Sequence, residues 1–273
     1  MTEKRITEKL KSAFLCHSTR PDKLFFFHST DSTNERAKRY PLEVCHDEEI
    51  DLGADSGASL FIADSQSAGR GRLGRSFVSN GGAGIYMSFR FTTDAPLSRV
   101  VAITPFAAVA VCRATEALSG IPCDIKWVND VYVRGKKLAG ILTESSICPD
   151  GKAAVICGIG INVKRSAMPP EVASIATSLE DHGAQIDPCE LMALIAEEFI
   201  GGFKNPLSSE TVAEYKRRSF LTGKRVRVIS PSGEYSATVT GITDSYELCI
   251  TTDSGEAKSL STGEVSLKFD NIS

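Results

Sequence analysis

The chain has 273 residues, 42% hydrophobic and 24% charged, with a formal net charge of -3 and a pI near 5.9. That balance describes an ordinary globular protein with room for one large domain and one small one, and it lacks the basic excess of a general nucleic-acid binder. No apolar run is expected to reach the ~18 residues of a membrane span, and the polar start Met1-Thr2-Glu3-Lys4-Arg5 has no signal-peptide core.

In chain order, the pattern predicts at most one short helix, Thr7 to Leu15, before Pro21, too little for a helix-turn-helix domain. Leu24-Phe25-Phe26-Phe27-His28 reads as a buried strand. It runs into Ser29-Thr30-Asp31-Ser32-Thr33-Asn34-Glu35, where capping residues precede a helix to about Tyr40. A strand end feeding a helix N-terminus rich in hydroxyl and amide groups makes a small-ligand edge. Residues 59 to 65 form the next strand and deliver the chain into Gln66-Ser67-Ala68-Gly69-Arg70-Gly71-Arg72-Leu73-Gly74-Arg75-Ser76-Phe77.

This loop puts three glycines and three arginines in seven positions with no acidic residue. Glycine lets backbone N–H groups turn toward an anion, and guanidinium forks match phosphate or carboxylate. It is not a P-loop, since no GK[ST] follows, and no apolar-periodic helix opens after it as a dinucleotide fingerprint requires. So polar a segment is expected to be mobile without ligand.

Ile85 to Phe91 is the next strand, and Val100 to Leu118 has helical spacing, with Thr104-Pro105 read as N-cap and N1 of the helix proper. Strands are then expected at Asp124 to Trp127, Asp130 to Val133, Leu138 to Ser145 and Ala153 to Val163, the last two joined by Pro149-Asp150-Gly151. Gly140, Gly158 and Gly160 interrupt apolar strands, the last two on one face of the pleat. Such glycines mark a ligand near the backbone or close packing of another element. Helices return at Pro188 to Phe199 and Ser208 to Phe220. From Gly223 five short strands follow, Val226 to Ile229, Tyr235 to Thr240, Glu247 to Thr251, Ala257 to Leu260 and Val265 to Phe269, as in a small closed barrel. The domains are therefore expected at 1-222 and 223-273. The eight cysteines, at 16, 45, 112, 123, 148, 157, 189 and 249, show neither a CxxC pair nor zinc spacing, so reduced thiols in a cytoplasm are expected.

Several separated motifs, in this order, resemble one family, the biotin protein ligases: Asp31-Ser32-Thr33-Asn34, the Gln66 to Arg75 loop, Lys126-Trp127-Val128-Asn129-Asp130 and Lys137-Leu138-Ala139-Gly140-Ile141-Leu142. Gly158-Ile159-Gly160-Ile161-Asn162-Val163 and Ala176-Thr177-Ser178-Leu179 fit as well. Val128 stands where the family usually has Pro, and Phe77 where it usually has Trp. The resemblance covers roughly residues 24 to 270. It implies an α+β fold: a mixed-sheet catalytic domain similar to class II aminoacyl-tRNA synthetases, then an SH3-like barrel. It also implies that biotin and ATP form biotinyl-5′-AMP, whose acyl group passes to a lysine of the carrier domain of a biotin-dependent carboxylase. The stretch before Asp31 leaves no room for the winged helix of the repressor members, so a cytoplasmic ligase with no nucleic-acid or membrane partner is expected.

The residues suit that chemistry. Joining a carboxylate to an α-phosphate brings two anions together, which calls for fixed cations. Arg70, Arg72 and Arg75 can answer the phosphates, and Lys126 the carboxylate, with Lys126 and Arg72 the expected catalytic pair. Ser32, Thr33, Asn34 and Gln66 offer neutral donors and acceptors for a ureido head. Gly69 and Gly71 supply loop backbone, and Gly140, Gly158 and Gly160 leave floor space. Mg²⁺ is expected with ATP, its ligands unidentified. A lipoate or octanoate ligase, or an RNA-binding protein with an Arg/Gly loop, is the alternative.

Overall fold

Large apolar side chains on both pleat faces of Leu24-Phe25-Phe26-Phe27 suit a strand covered on both sides. In the computed structural model, which describes residues 3–41, 49–148, 151–165, 170–230, 233–261 and 266–269, they lie in β1 (Lys23–Thr30). Its sheet also contains β2 (Glu49–Asp51), β3 (Ala58–Gln66), β4 (Gly84–Thr93), β5 (Asp124–Lys126), β6 (Asp130–Val133), β7 (Lys136–Ile147) and β8 (Ala153–Asn162). The order is β2-β1-β3-β4-β8-β7-β6-β5, with β1 and β3 parallel and every other neighbour antiparallel.

Alternation along the strands sends residues to two cores. Leu24, Phe26, Leu60, Ile62, Met87, Phe89, Cys157 and Ile159 join the large core, with α1 (Glu3–Leu15), α3 (Leu97–Ser119), α5 (Pro188–Gly202) and α6 (Ser209–Arg218) supplying its helical side. Phe25, Phe27, Phe61, Ala63, Ala154 and Ile156 face the other way and pack with Ala37 of the short helix α2 (Thr33–Arg39).

Helix α3 departs from expectation twice. It is continuous from Leu97, with Pro105 inside it instead of at its start. An interior proline costs about 3 kcal/mol. Full burial of Ala102, Ile103, Phe106, Ala107 and Val109 around it outweighs that loss. Ser98–Ser119 is also long and apolar enough to cross a membrane, contrary to the expectation that no run reaches that length. Since 67% of that window is buried within the fold, it serves as a core helix.

α1 begins four residues earlier than expected, at Glu3. The sequence pattern also gave no sign of β2, of the short helix α4 (Pro170–Ala173) or of the 3₁₀ turn Glu180–His182. After α6 come β9 (Arg225–Ser230), β10 (Gly233–Ile242), β11 (Leu248–Thr252), β12 (Ala257–Leu260) and β13 (Ser266–Phe269), an antiparallel sheet in the order β12-β11-β10-β9-β13. The expectations at Cys45, Pro149-Asp150 and Val265 lie outside the described residues. The remaining seven cysteines are free thiols.

Candidate active site

On the α2 face, the apolar side chains of β8 give way to Gly158 and Gly160, and the adjacent strands place Ser88 opposite Gly158 and Gly140 opposite Gly160. A cavity of about 360 Å³ opens over this row, closed by the N-terminus of α2, the Arg/Gly loop, the β5–β6 turn and Val172, Ile175 and Ala176. That size is usual for a small-molecule site.

The floor is a network of neutral groups. Ser32 takes the N-cap position of α2 without making a side-chain cap bond. The Thr33 N–H and hydroxyl both donate to Gln66 Oε1, at 2.8 and 3.2 Å, and Gln66 Nε2 donates to Ser79 Oγ at 2.8 Å. Asn34 Nδ2 donates to the Leu142 carbonyl at 3.2 Å and to Glu144 Oε2 at 2.8 Å, while its Oδ1 accepts from Ser88 Oγ at 2.6 Å. Ser88 Oγ also lies 2.7 Å from Thr33 Oγ1. By valence, Gln66 keeps one amide N–H and Asn34 one acceptor site for a ligand. Beside the floor, Arg39 grips Asp31 with two bonds of 2.9 and 3.0 Å and holds its carboxyl well below the usual range.

Gly140, Gly158 and Gly160 all line the cavity, and side chains of the protein also crowd them. A Cβ on Gly158 would overlap Asn34 Oδ1, one on Gly160 would come within 2.8 Å of the Phe77 ring, and one on Gly140 within 3.1 Å of Lys137 Nζ. Close packing is thus one thing they permit, beside the space they leave along the cavity. Gly69 does not line the cavity. Its missing Cβ would collide with the Phe77 carbonyl and stand 2.6 Å from Ser79 Oγ, so it lets the two limbs of the loop meet.

The loop forms the roof. Phe77 N–H donates to Gly69 O at 2.9 Å and Gly71 N–H to Arg75 O at 2.7 Å, around a 3₁₀ turn at Arg72–Gly74 in which Gly74 has φ 73°. Arg70, Arg72 and Arg75 all line the cavity. Arg72 donates to Asn129 Oδ1 at 3.1 Å, and burial lowers its pKa.

Lys126 enters from the side, at the end of β5 and in register with Asp130. Burial is the main cause lowering its pKa; Asp130 opposes this, while Lys137 and Arg75 add to it. Asp130 accepts from Lys137 Nζ at 2.6 Å. The strand end is braced from behind, where Trp127 Nε1 donates to the Tyr246 carbonyl at 2.7 Å and the Tyr215 hydroxyl to the Val128 carbonyl at 3.1 Å. The β10–β11 connection and α6 therefore support the turn that follows Lys126.

Of the expected residues, Ser32, Thr33, Asn34, Gln66, Arg70, Gly71, Arg72, Arg75, Lys126, Gly140, Gly158 and Gly160 meet at this one cavity. Sequence reasoning missed Ser88, Asn129, Asp130 and Lys137 as site-building residues. The last three stand inside quoted motifs. Ser88 carries a weaker signal, a small hydroxyl residue between Met87 and Phe89 in an otherwise mostly apolar strand. Among the described residues, no group of three or more His, Cys, Asp or Glu could hold a metal.

Residues 26–162 match the biotin/lipoate A/B protein ligase family, and residues 221–268 match the biotin protein ligase C terminal domain. The chain is 36% identical over 206 residues to the bifunctional ligase/repressor BirA of Bacillus spizizenii, an alignment covering 73% of this chain and 63% of that protein. It thus spans slightly under two thirds of that relative. To the biotin--[acetyl-CoA-carboxylase] ligase of Mycobacterium tuberculosis it is 34% identical over 207 residues, covering 72% and 75%. A solved structure of the biotin protein ligase from Aquifex aeolicus in complex with biotin and ATP superposes with a TM-score of 0.70 at 28% identity, covering 90% of this chain and 99% of that one.

Proposed function

The chain belongs to the biotin/lipoate A/B protein ligase family, and from that premise we propose that it is an ATP-dependent biotin–protein ligase. The observation that carries this reading is the convergence, on one cavity, of a neutral hydrogen-bonding floor with the cations Arg72, Arg75 and Lys126. The match to the biotin ligase C-terminal domain favours biotin over lipoate or octanoate as the acyl acid.

In the first half-reaction a carboxylate oxygen of biotin attacks the α-phosphorus of ATP, forming the acyl–phosphate bond of biotinyl-5′-AMP and expelling pyrophosphate. Lys126 faces the reacting carboxylate and α-phosphate, while Arg72 and Arg75 bind phosphate oxygens and offset the charge that builds on them. Ser32, Thr33, Asn34 and Gln66 orient the ureido head, and the loop excludes water from the mixed anhydride. In the second half-reaction a lysine amine of a biotin carboxyl carrier domain attacks the acyl carbon, forming an amide and releasing AMP and a proton. Magnesium enters with ATP as part of the substrate. The one carboxylate lining the cavity among the described residues, Asp130, is engaged by Lys137, so the chain's own residues do not fit a separate metal cage.

The same reading divides the chain at about residue 222. It makes the first part a class II synthetase-like catalytic domain and the second an SH3-like barrel, working in the cytoplasm without a nucleic-acid or membrane partner. Incubation of the chain with biotin, ATP and a carrier domain should give a biotinylated carrier by streptavidin blot. Replacing the acceptor lysine with arginine should abolish the signal; an unlabelled carrier in the intact mixture would remove the proposal.

A further inference from the structure

Arg70 lines the cavity, yet its guanidinium is drawn toward α2. It bonds the Glu35 carboxylate and stands 3.8 Å from Glu144 Oε1. Lys38 Nζ bridges the two acids, 2.9 Å from Glu35 Oε1 and 2.8 Å from Glu144 Oε1. The second oxygen of Glu144 accepts from Asn34 Nδ2 at 2.8 Å, and Asn34 Oδ1 accepts from the fully buried Ser88 at 2.6 Å. Polar contacts therefore run unbroken from the sheet floor to the first arginine of the loop.

Charge and position say what this run does. Two carboxylates face two cations, so the Arg70 charge is already matched before any phosphate arrives. The acids come from α2 and β7, both parts of the rigid scaffold, whereas Arg70 belongs to the roof. An isolated exposed pair is weak, but a shared network fixes geometry. Resting on the ligase reading, we propose that Glu35 and Glu144 are positioning residues: they clasp Arg70 and hold the entering limb of the loop over the cavity. Through Asn34, Glu144 ties that clasp to the pocket for the acyl acid's head. Arg70 is then chiefly a latch, and Arg72 and Arg75 carry the phosphate contacts.

The test uses the full chain as wild type, Glu35→Gln, Arg70→Gln, both together and Glu144→Gln. Hydrogen exchange across residues 69–77 and biotin-dependent pyrophosphate exchange are both measured. Glu35→Gln and Arg70→Gln should each speed amide exchange in the loop about 2- to 5-fold, with no further gain in the double variant. Glu35→Gln should raise KM with little change in kcat. Glu144→Gln, which also weakens a bond to Asn34, should raise the KM for biotin by about 10-fold. Additive effects of Glu35→Gln and Arg70→Gln, or unchanged loop exchange in either, overturn the clasp. If biotin drives no pyrophosphate exchange in any form, the ligase reading fails, while loop exchange still decides the clasp.

Discussion

The floor of the cavity, where Thr33, Asn34, Gln66 and Ser88 meet, is made of neutral side chains bonded nearly to capacity, three of the four residues at most 4% exposed. The roof, from Gly69 to Phe77, is held by a few backbone bonds and by charges such as Arg70, whose side chain is 50% exposed. A floor fixed before the ligand arrives loses little order on binding and discriminates by shape and hydrogen bonding. A roof held by weaker contacts can open to admit two substrates and then close over the product. Damage to the floor should therefore appear as lost affinity and stability, and damage to the roof as leakage without unfolding.

The largest effect is expected where floor and roof share one anion. Lys126→Gln removes a charge-assisted hydrogen bond worth about 1.5–3 kcal/mol, so adenylation should fall by roughly 10- to 150-fold. Lys126→Arg should not rescue it, because a planar fork does not replace a compact ammonium. Melting should stay near wild type in both, and normal pyrophosphate exchange in Lys126→Gln would return the residue to a structural part. Because burial lowers the Lys126 pKa, the alkaline limb of the rate should also fall at a lower pH than the ordinary lysine value of 10.5.

Gly158→Ala tests the floor alone. Its new methyl must displace Asn34, and overpacking of that kind costs about 1–3 kcal/mol. Calorimetry should show a lower Tm together with weaker biotin binding. A variant that binds biotin normally at an unchanged Tm would mean that the floor is as compliant as the roof. The smaller counterpart is Arg72→Ala, which removes one bond to Asn129 Oδ1 and thins the roof. Release of free adenylate should rise about 5-fold, as for one ordinary hydrogen bond, with Tm unchanged; a drop in Tm without leakage would erase the distinction.

The smallest effect concerns acid. The folded pKa of Asp31 is depressed below 3.8, chiefly by the Arg39 bonds. Its stabilisation is therefore present above the ordinary carboxylate pKa and is lost as pH falls through the depressed one. At 42% side-chain exposure the contribution is screened and small. Asp31→Asn should flatten the loss of Tm below about pH 4 and leave neutral pH nearly untouched; an unchanged acid limb would show that the pair adds nothing.

Much of this site was legible because its motifs are short runs whose chemistry is local. A helix start rich in hydroxyls and amides, a Gly/Arg loop and a lysine ending a strand each announce themselves within a few residues. Pairing was harder to read. That Gly158 makes room for Asn34, 124 positions earlier in the numbering of the chain, depends on sheet register and on the placement of α2. Ser88 looks like a weak point in a strand until β8 is set beside it. Pro105 misled because a local rule for helix starts was overridden by tertiary burial. The Arg70 clasp was invisible for the same reason, since α2 and β7 bring its acids together from positions 35 and 144.

The central claim, that this cavity activates biotin as an adenylate, is tested most directly by exchange of labelled pyrophosphate into ATP, with biotin, lipoate or octanoate as the acyl acid. The account predicts exchange that depends on biotin and collapses in Lys126→Gln. Equal exchange with lipoate or octanoate, or biotin-driven exchange that ignores Lys126, would contradict it.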